Sequence, residues 1–345
     1  MGRQIRKPSA MREVLRAWYI THHRKLPWRA EPGQQNDPYA VWLSEIMLQQ
    51  TTVPAVIPYF LKFKFMWPDV HALAAAKDED VLDAWAGLGY YSRARNLLKC
   101  ARELVSTYDG VFPDTEAELV KLAGIGPYTA AAIRAIAFQK PAPVLDGNIE
   151  RVTSRLYAEA TPLPEAKPIL RGFAADLVAG EHPGDMAQAL MDLGAGVCLS
   201  GTPVCGLCPL ESFCEAKAQG QQGQYPVKAP KKERPTRYGY ILLFEHNGQV
   251  LCERRAPKGL LGGMIGLPTS EWQSDMPELP ATIDGVVKIG QARHVFTHFT
   301  LMLDVYSGSW HGQITEETPY FWLETKRDWE KKLPTVFRKA AILLR

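Results

Sequence analysis

Four cysteines fall in one short segment: Cys198, Cys205, Cys208 and Cys214. Thiolates at this density wrap a tetrahedral metal or a cubane cluster, and spacing alone leaves structural zinc and an iron–sulfur cluster equally open. A disulfide framework spreads its cysteines through a small secreted chain instead. Cys100 and Cys252 stand apart and read as buried structural thiols. A second reactive group is Glu45, flanked by Trp42, Leu43, Ile46 and Met47. A carboxyl in apolar surroundings holds its proton more tightly, which suits a general acid, although a single Glu on a helix more commonly faces solvent. Gln49, Gln50 and Thr51 end this apolar stretch with three hydrogen-bonding side chains. Asp146 precedes Gly147-Asn148-Ile149, where by itself it reads as a turn residue and helix N-cap. In Leu122–Ala130, Gly124 and Gly126 precede a helix start at Thr129. Glycines let a backbone approach a phosphate and a helix N-terminus offers it free N–H groups, though the same pattern also makes an ordinary turn between packed helices.

The elements that must position these groups change character along the chain. From Ala10 to about Leu193, apolar residues recur at three- and four-residue spacing between Pro and Gly breaks, which predicts helices. Asp37-Pro38 opens one of them, filled by 39–50, and Thr52-Val53-Pro54 opens the next. Further helices are expected over 78–86, 92–108, 115–122, 129–138, 149–157, 164–179 and 186–197. The run 218–224 is poor in apolar residues and is followed by Pro226, Pro230 and Pro235, so 218–236 reads as an extended, mobile linker. Beyond Arg237 the period shifts toward two. Strands are expected over 240–244, 250–254, 301–307 and 320–323, with a hairpin turn at Asn247-Gly248 and a closing helix over 335–344. The fold class is therefore a mainly α region, 1–217, followed by an α+β domain, 237–345.

The chain has 345 residues, enough for two cores, with 46% hydrophobic and 22% charged residues, a globular composition. No apolar run approaches a membrane span, and the basic start, Met1–Ala10, lacks the apolar stretch of a signal peptide, so a cytoplasmic or nucleoid-associated monomer is expected. The net charge of +3 is too small to argue for nucleic acid by itself. Basic runs at Lys228, Lys231, Lys232, Arg234 and Arg237, and at Lys331, Lys332, Arg338, Lys339 and Arg345, read as solvated surface.

Taken together, these motifs resemble the MutY-type adenine DNA glycosylases of the helix-hairpin-helix endonuclease III superfamily over nearly the whole chain. The segments Leu26-Pro27-Trp28-Arg29, Glu45–Thr51, Gly87-Leu88-Gly89-Tyr90-Tyr91, Leu122–Ala130, Asp146–Val152 and the four-cysteine loop occur in order. Tyr128 stands where the lyase members carry lysine. The resemblance implies a [4Fe-4S] cluster on Cys198, Cys205, Cys208 and Cys214, and a helix-hairpin-helix at Gly124 and Gly126 that clamps the DNA backbone. It implies Glu45 as the acid that protonates adenine and Asp146 as the stabiliser of the sugar cation, with Tyr128 and Asn148 positioning them. Leu26, Trp28, Arg29 and Gln188 would line the adenine pocket, while Gln49, Gln50, Thr51, Leu88 and Tyr90 would meet the duplex.

The second domain resembles a degenerate Nudix fold, with a glycine turn at Gly259–Pro268 but without the acidic metal-binding box of the active hydrolases. His294–Phe299 resembles the family's Phe-Ser-His loop, with Thr297 between Phe296 and His298, and implies a reader of 8-oxoguanine. The partner expected is duplex DNA carrying adenine opposite 8-oxoguanine or guanine. The loop 199–204, where many relatives carry Lys or Arg, has no charge here. Two other readings compete: an endonuclease III-like glycosylase/lyase, disfavoured by Tyr128, and a catalytically silent iron–sulfur DNA-binding protein, disfavoured by the retained Glu45 and Asp146.

Overall fold

The computed structural model describes residues 7–230, 233–256, 259–280, 283, 285–310, 312, 314–315, 317–326 and 328–344. Lys231, Lys232 and Arg345 of the basic runs, and the first six residues, lie outside these. The chain divides into two compact units, one ending at Ala229 and the other beginning at Pro230.

The first unit is helical: α1 (Pro8–His22), α2 (Pro38–Leu48), α3 (Val53–Met66), α4 (Val70–Ala74), α5 (Asp78–Trp85), α6 (Ser92–Tyr108), α7 (Glu116–Leu119), α8 (Pro127–Ile136), α9 (Gly147–Tyr157), α10 (Lys167–Val178), α11 (Pro183–Gly196) and α12 (Glu215–Ala218). Its centre is α2. Asp37 caps it by accepting the Tyr39 N–H at 3.0 Å, Pro38 occupies the first turn, and Tyr39–Met47 are all buried. A helix apolar on every side belongs in a core, and this one carries Glu45 in with it. α6 is amphipathic instead: Ala94, Leu97, Leu98, Ala101 and Leu104 are buried at helical spacing. Each buried Leu contributes about 2 kcal/mol against exposure. α8 begins at Pro127, two residues before the expected start, because Gly126 takes the N-cap position and proline fits the first turn. α11 likewise begins at Pro183 rather than at 186.

The stretch expected to open a mobile linker is ordered against the first unit. α12 reaches Ala218, a 3-10 turn covers Gln222–Gln224, Arg155 donates to the Tyr225 carbonyl at 3.1 Å, and Lys228 bridges Leu163. Low apolar content did not prevent packing, because the anchors are backbone groups.

The second unit is a mixed sheet in the order β3-β2-β1-β5-β4, with β6 paired to β2. The strands are β1 (Thr236–His246), β2 (Gln249–Arg254), β3 (Ile265–Gly266), β4 (Val287–Val295), β5 (Thr300–Gly308) and β6 (Tyr320–Glu324). Asn247 and Gly248 both have positive φ, 48° and 69°, so the β1–β2 hairpin turn matches the strand twist. β1 runs parallel to β5, from Thr236↔Thr300 to Phe244↔Gly308. Both faces of β1 are covered, which makes 240–244 continuously apolar: Ile241 and Leu243 join a cluster with Phe337 of α13 (Thr335–Ala341), and Tyr240, Leu242 and Phe244 join Trp310 and Trp322. The edge strand β4 was not expected, because Lys288, Gly290, Gln291 and Arg293 break its apolar alternation.

Candidate active site

A cavity of about 370 Å³ opens where α2, α8, α9 and α11 meet the loop before α2. Glu45, Tyr128, Asp146, Asn148, Gln188, Leu26, Trp28 and Arg29 all line it. Glu45 is only 7% exposed. Burial raises its carboxyl to about 7; a hydrogen bond from Tyr128 and the charge of Arg29 pull the other way, while Asp146 adds to the rise. Tyr128 is held neutral, its phenol pushed well above the usual range by burial and then by the two carboxylates.

Asp146 arrives by a different route. It caps α9, accepting the Ile149 N–H at 2.7 Å and the Asn148 side-chain amide at 2.9 Å. Burial raises its carboxyl and these donors oppose the rise. The cavity thus holds two carboxyls in contrasting settings: Glu45 among apolar side chains, Asp146 tied to N–H donors at a helix N-terminus. Such a pair divides into proton donor and persistent anion.

The loop before α2 is fixed by a residue that sequence reading missed. Asp192 of α11, 3% exposed, accepts from Arg24 at 2.6 Å and from Arg29 at 2.8 Å. Trp28 packs edge-on against Phe60 at 5.3 Å. Gln188, one turn before Asp192, donates to the Gly184 carbonyl, and its own side-chain oxygen in the cavity wall has no partner among the described residues.

Two short loops project at one side of the cavity. Gln50 and Tyr90 both take left-handed backbone, φ 57° and 48°, and both are exposed. That conformation costs a non-glycine residue roughly 1–2 kcal/mol, a strain that concentrates at functional sites. Gln49 and Thr51 are half-buried, and Leu88 is buried, 7% exposed, so its side chain belongs to the core beneath the loop. Arg93, missed in the sequence, lies beneath both loops. Nearby, Gly124 turns the chain from α7 to α8 with φ 77°, its added Cβ meeting Asn96 at 3.0 Å, and Gly126 leads into the open N-terminus of α8.

Cys198, Cys205, Cys208 and Cys214 ring a second, small cavity with Val152, Leu193 and Leu210. Among the described residues, no three His, Cys, Asp or Glu side chains converge on a point that would hold one metal ion. Arg155 of α9 donates to the Cys198 sulfur at 3.3 Å and to the Leu199 carbonyl at 2.7 Å. Arg155 is only 2% exposed, so its charge lies beside the cysteines and does not replace a surface charge in the 199–204 loop. Arg151, also missed, joins α9 to the Gly194 carbonyl at 2.6 Å. Gly194 itself faces Asn148 so closely that an added Cβ would lie 2.5 Å from the Asn148 Cβ and 3.0 Å from its Cα.

In the second unit, Phe296–Phe299 is the turn joining β4 to β5, closed by Phe296 N–H to the Phe299 carbonyl at 2.9 Å. Thr297 and His298 are exposed at its tip. Phe296 is half-buried, stacked on Trp272 at 5.8 Å and packed on Phe299 at 4.9 Å, so its ring braces the turn.

Residues 43–170 match the HhH-GPD superfamily of base excision DNA repair proteins, and residues 239–342 match the NUDIX domain. The chain is 33% identical to the adenine DNA glycosylase of Homo sapiens, across 92% of this chain and 70% of that protein. It is 33% identical to the adenine DNA glycosylase of Buchnera aphidicola, across 83% of both. A thermostable thymine-DNA glycosylase superposes with a TM-score of 0.55 at 27% identity, across 61% of this chain and 97% of that one. Endonuclease III from a non-covalent DNA complex shares the fold, with a TM-score of 0.51 at 21% identity, across 63% of this chain and 100% of that one. The first unit therefore has the helix-hairpin-helix glycosylase fold, and the second is Nudix-like.

Proposed function

The chain belongs to the adenine DNA glycosylases, which hydrolyse an N-glycosidic bond of DNA in base excision repair, and we propose that it removes adenine mispaired with 8-oxoguanine or guanine. The observation that carries this reading is Glu45, a buried carboxyl titrating at about 7 in the same cavity as the capped Asp146.

The bond to be broken is hidden in the duplex, so the nucleotide must be flipped out, which a mispair makes easier. Gln50 and Tyr90 enter the vacated stack, supported by Gln49, Thr51 and Leu88, while backbone N–H groups of Gly124, Gly126 and the first turn of α8 grip a phosphate. Adenine enters among Leu26, Trp28, Arg29 and Gln188, whose unpartnered oxygen can accept from an exocyclic amino group. Glu45 protonates N7, and the departing base leaves an oxocarbenium-like sugar that the Asp146 anion stabilises. Tyr128 orients Glu45 and Asn148 orients Asp146. Water completes the hydrolysis. Among the described residues no lysine lines the cavity, so the product is an abasic site in an intact strand, which argues against the lyase reading.

Cys198, Cys205, Cys208 and Cys214 fit a [4Fe-4S] cluster. All four line one cavity and would supply the thiolates that hold it, and Arg155, donating to the Cys198 sulfur, would offset their charge. When bound, the group cross-links the 198–214 loop. Metal analysis of anaerobically purified protein should find iron, whereas stoichiometric zinc without iron overturns the assignment. Thr297 and His298 in the second unit read the opposite base. The protein works as a monomer on DNA inside the cell.

The decisive experiment is strand cleavage after alkali on duplexes with adenine opposite 8-oxoguanine, guanine or thymine. Alkali-labile sites should form opposite the first two and not the third. Their absence from all three leaves a silent DNA-binding protein.

A further inference from the structure

α2 carries the buried Glu45 and ends at Leu48 without a glycine cap, leaving its last carbonyls for some other donor. Arg93, at the second position of α6, supplies it. One guanidinium nitrogen donates to the carbonyls of Ile46, Met47 and Gln49 at 3.2, 2.9 and 2.6 Å. The other donates to Thr51 Oγ1, and to the carbonyls of Leu88 and Gly89, at 3.2, 3.0 and 3.3 Å. The guanidinium carbon lies 5.3 Å from the Trp85 ring centroid and 5.5 Å from that of Tyr90, and the residue is 8% exposed. A positive charge at a helix N-terminus opposes the helix dipole, so local helix preference does not account for an arginine here. Its acceptors all lie in two segments that are not neighbours in sequence: the end of α2 with Gln49–Thr51, and Leu88–Gly89.

Those segments carry the two exposed, left-handed residues of the site, Gln50 and Tyr90. We infer that Arg93 is the positioning residue for strand entry: it clamps both loop tips at one spacing, so that they enter the base stack as a single preformed wedge. This rests on the proposed reading of Gln50 and Tyr90 as the residues that enter the stack. A planar fork suits the task, because it presents donors along two edges to two separate backbones. Lysine keeps the charge but concentrates its donors at one point, within reach of one loop only.

The test compares the intact chain with Arg93→Lys and Arg93→Met on a duplex carrying 2-aminopurine beside the target adenine, whose fluorescence rises when the stack opens. Both variants should lose most of that rise, and single-turnover excision should fall at least tenfold. The pH midpoint of the rate, set by Glu45, should remain where it is in the intact chain. A merely structural role would not separate these readouts. An Arg93→Lys protein that opens the stack and excises within twofold of the intact chain overturns the inference. So does a loss that tracks the unfolded fraction and disappears on cooling. A Gln50→Ala/Tyr90→Ala protein with Arg93 intact separates the two readings. If it still opens the stack, the wedge reading itself fails. If it does not while Arg93→Lys does, only the role of Arg93 fails.

Discussion

Arg151 donates from Nε to the Cys198 carbonyl at 2.7 Å and from a terminal nitrogen to the Asn148 side-chain oxygen at 2.9 Å. Asn148 passes the connection on, its amide donating to Asp146 at 2.9 Å. Arg151 and Asn148 together therefore tie the cysteine loop to the Asp146 carboxylate of the candidate site. Without Arg151, Asn148 keeps its place in sequence but loses the group that fixes which way its amide points.

Arg151→Met should accordingly lower single-turnover excision about tenfold or more while DNA binding is retained, because Asp146 loses an oriented donor. Removing a half-buried donor from its four acceptors, the carbonyls of Gly147, Gly194 and Cys198 and the Asn148 side-chain oxygen, also costs about 1–3 kcal/mol of stability. Single-turnover assays beside gel-shift titrations check this, and an unchanged rate would show that Asn148 holds Asp146 unaided.

Glu45 links catalysis to stability through one titration. Its carboxyl is raised in the fold to about 7 from an ordinary 4.5. The protonated form is thus favoured by folding. Its contribution is full below about 4.5 and is lost as pH rises through about 7. Glu45→Gln, neutral at every pH, should match the parent at pH 4 and exceed it by about 3 kcal/mol at pH 9. Thermal melts across pH measure it. Excision by the parent should decline over the same window as the acid ionises, and excision by the variant should be absent throughout.

Asp192 pairs with Arg29, whose charge pulls the Glu45 carboxyl down. In Asp192→Asn, Arg29 faces Glu45 uncompensated and favours its anion, so the pH midpoint of excision should move to lower pH. Leaving Arg24 and Arg29 without their buried partner should also destabilise the first unit by about 3–5 kcal/mol. The pH–rate profile distinguishes the two effects, and a midpoint that stays in place removes Asp192 from the tuning of the acid.

Specificity for the opposite base is expected to depend on the second unit. A chain ending at Ala229, the boundary of the first compact unit, should still excise adenine opposite guanine. It should lose most of its advantage opposite 8-oxoguanine, roughly tenfold to a hundredfold if one to two hydrogen bonds are involved. The ratio of the two rates is the measurement. Equal losses on both duplexes would make the second unit a clamp.

The parts of this site that sequence exposes are those whose neighbours along the chain already define their setting. Glu45 sits in an apolar helix, Asp146 begins one, and the cysteines crowd together. Arg93, Arg151 and Asp192 leave no such trace. Asp192 meets Arg29 across 163 positions, and Arg93 meets the end of α2 across 44 to 47. Each is an unremarkable charged residue until the fold brings carbonyls or a guanidinium to it. The strand β4 was hidden for a similar reason. Its polar positions break the alternation, and pairing with β5 through Gln291↔Asp304 and Arg293↔Met302 makes it a strand. The ordered 218–229 segment escaped because backbone contacts have no composition.

The close crossing at Gly194 bears on how natural variation in this chain is to be interpreted. Substitution scales place glycine to alanine among the mildest exchanges, and inside a helix alanine normally stabilises by about 1 kcal/mol. Here the single methyl has no room beside Asn148, and α9 must shift at its first turn, where Asp146 and Asn148 sit. A Gly194→Ala chain would keep every residue of the candidate site, retain helical circular dichroism and a full complement of cysteines, and still be expected to lose excision. The severity of a variant in this protein follows from the distance between two helix backbones, which no comparison of side-chain chemistry registers.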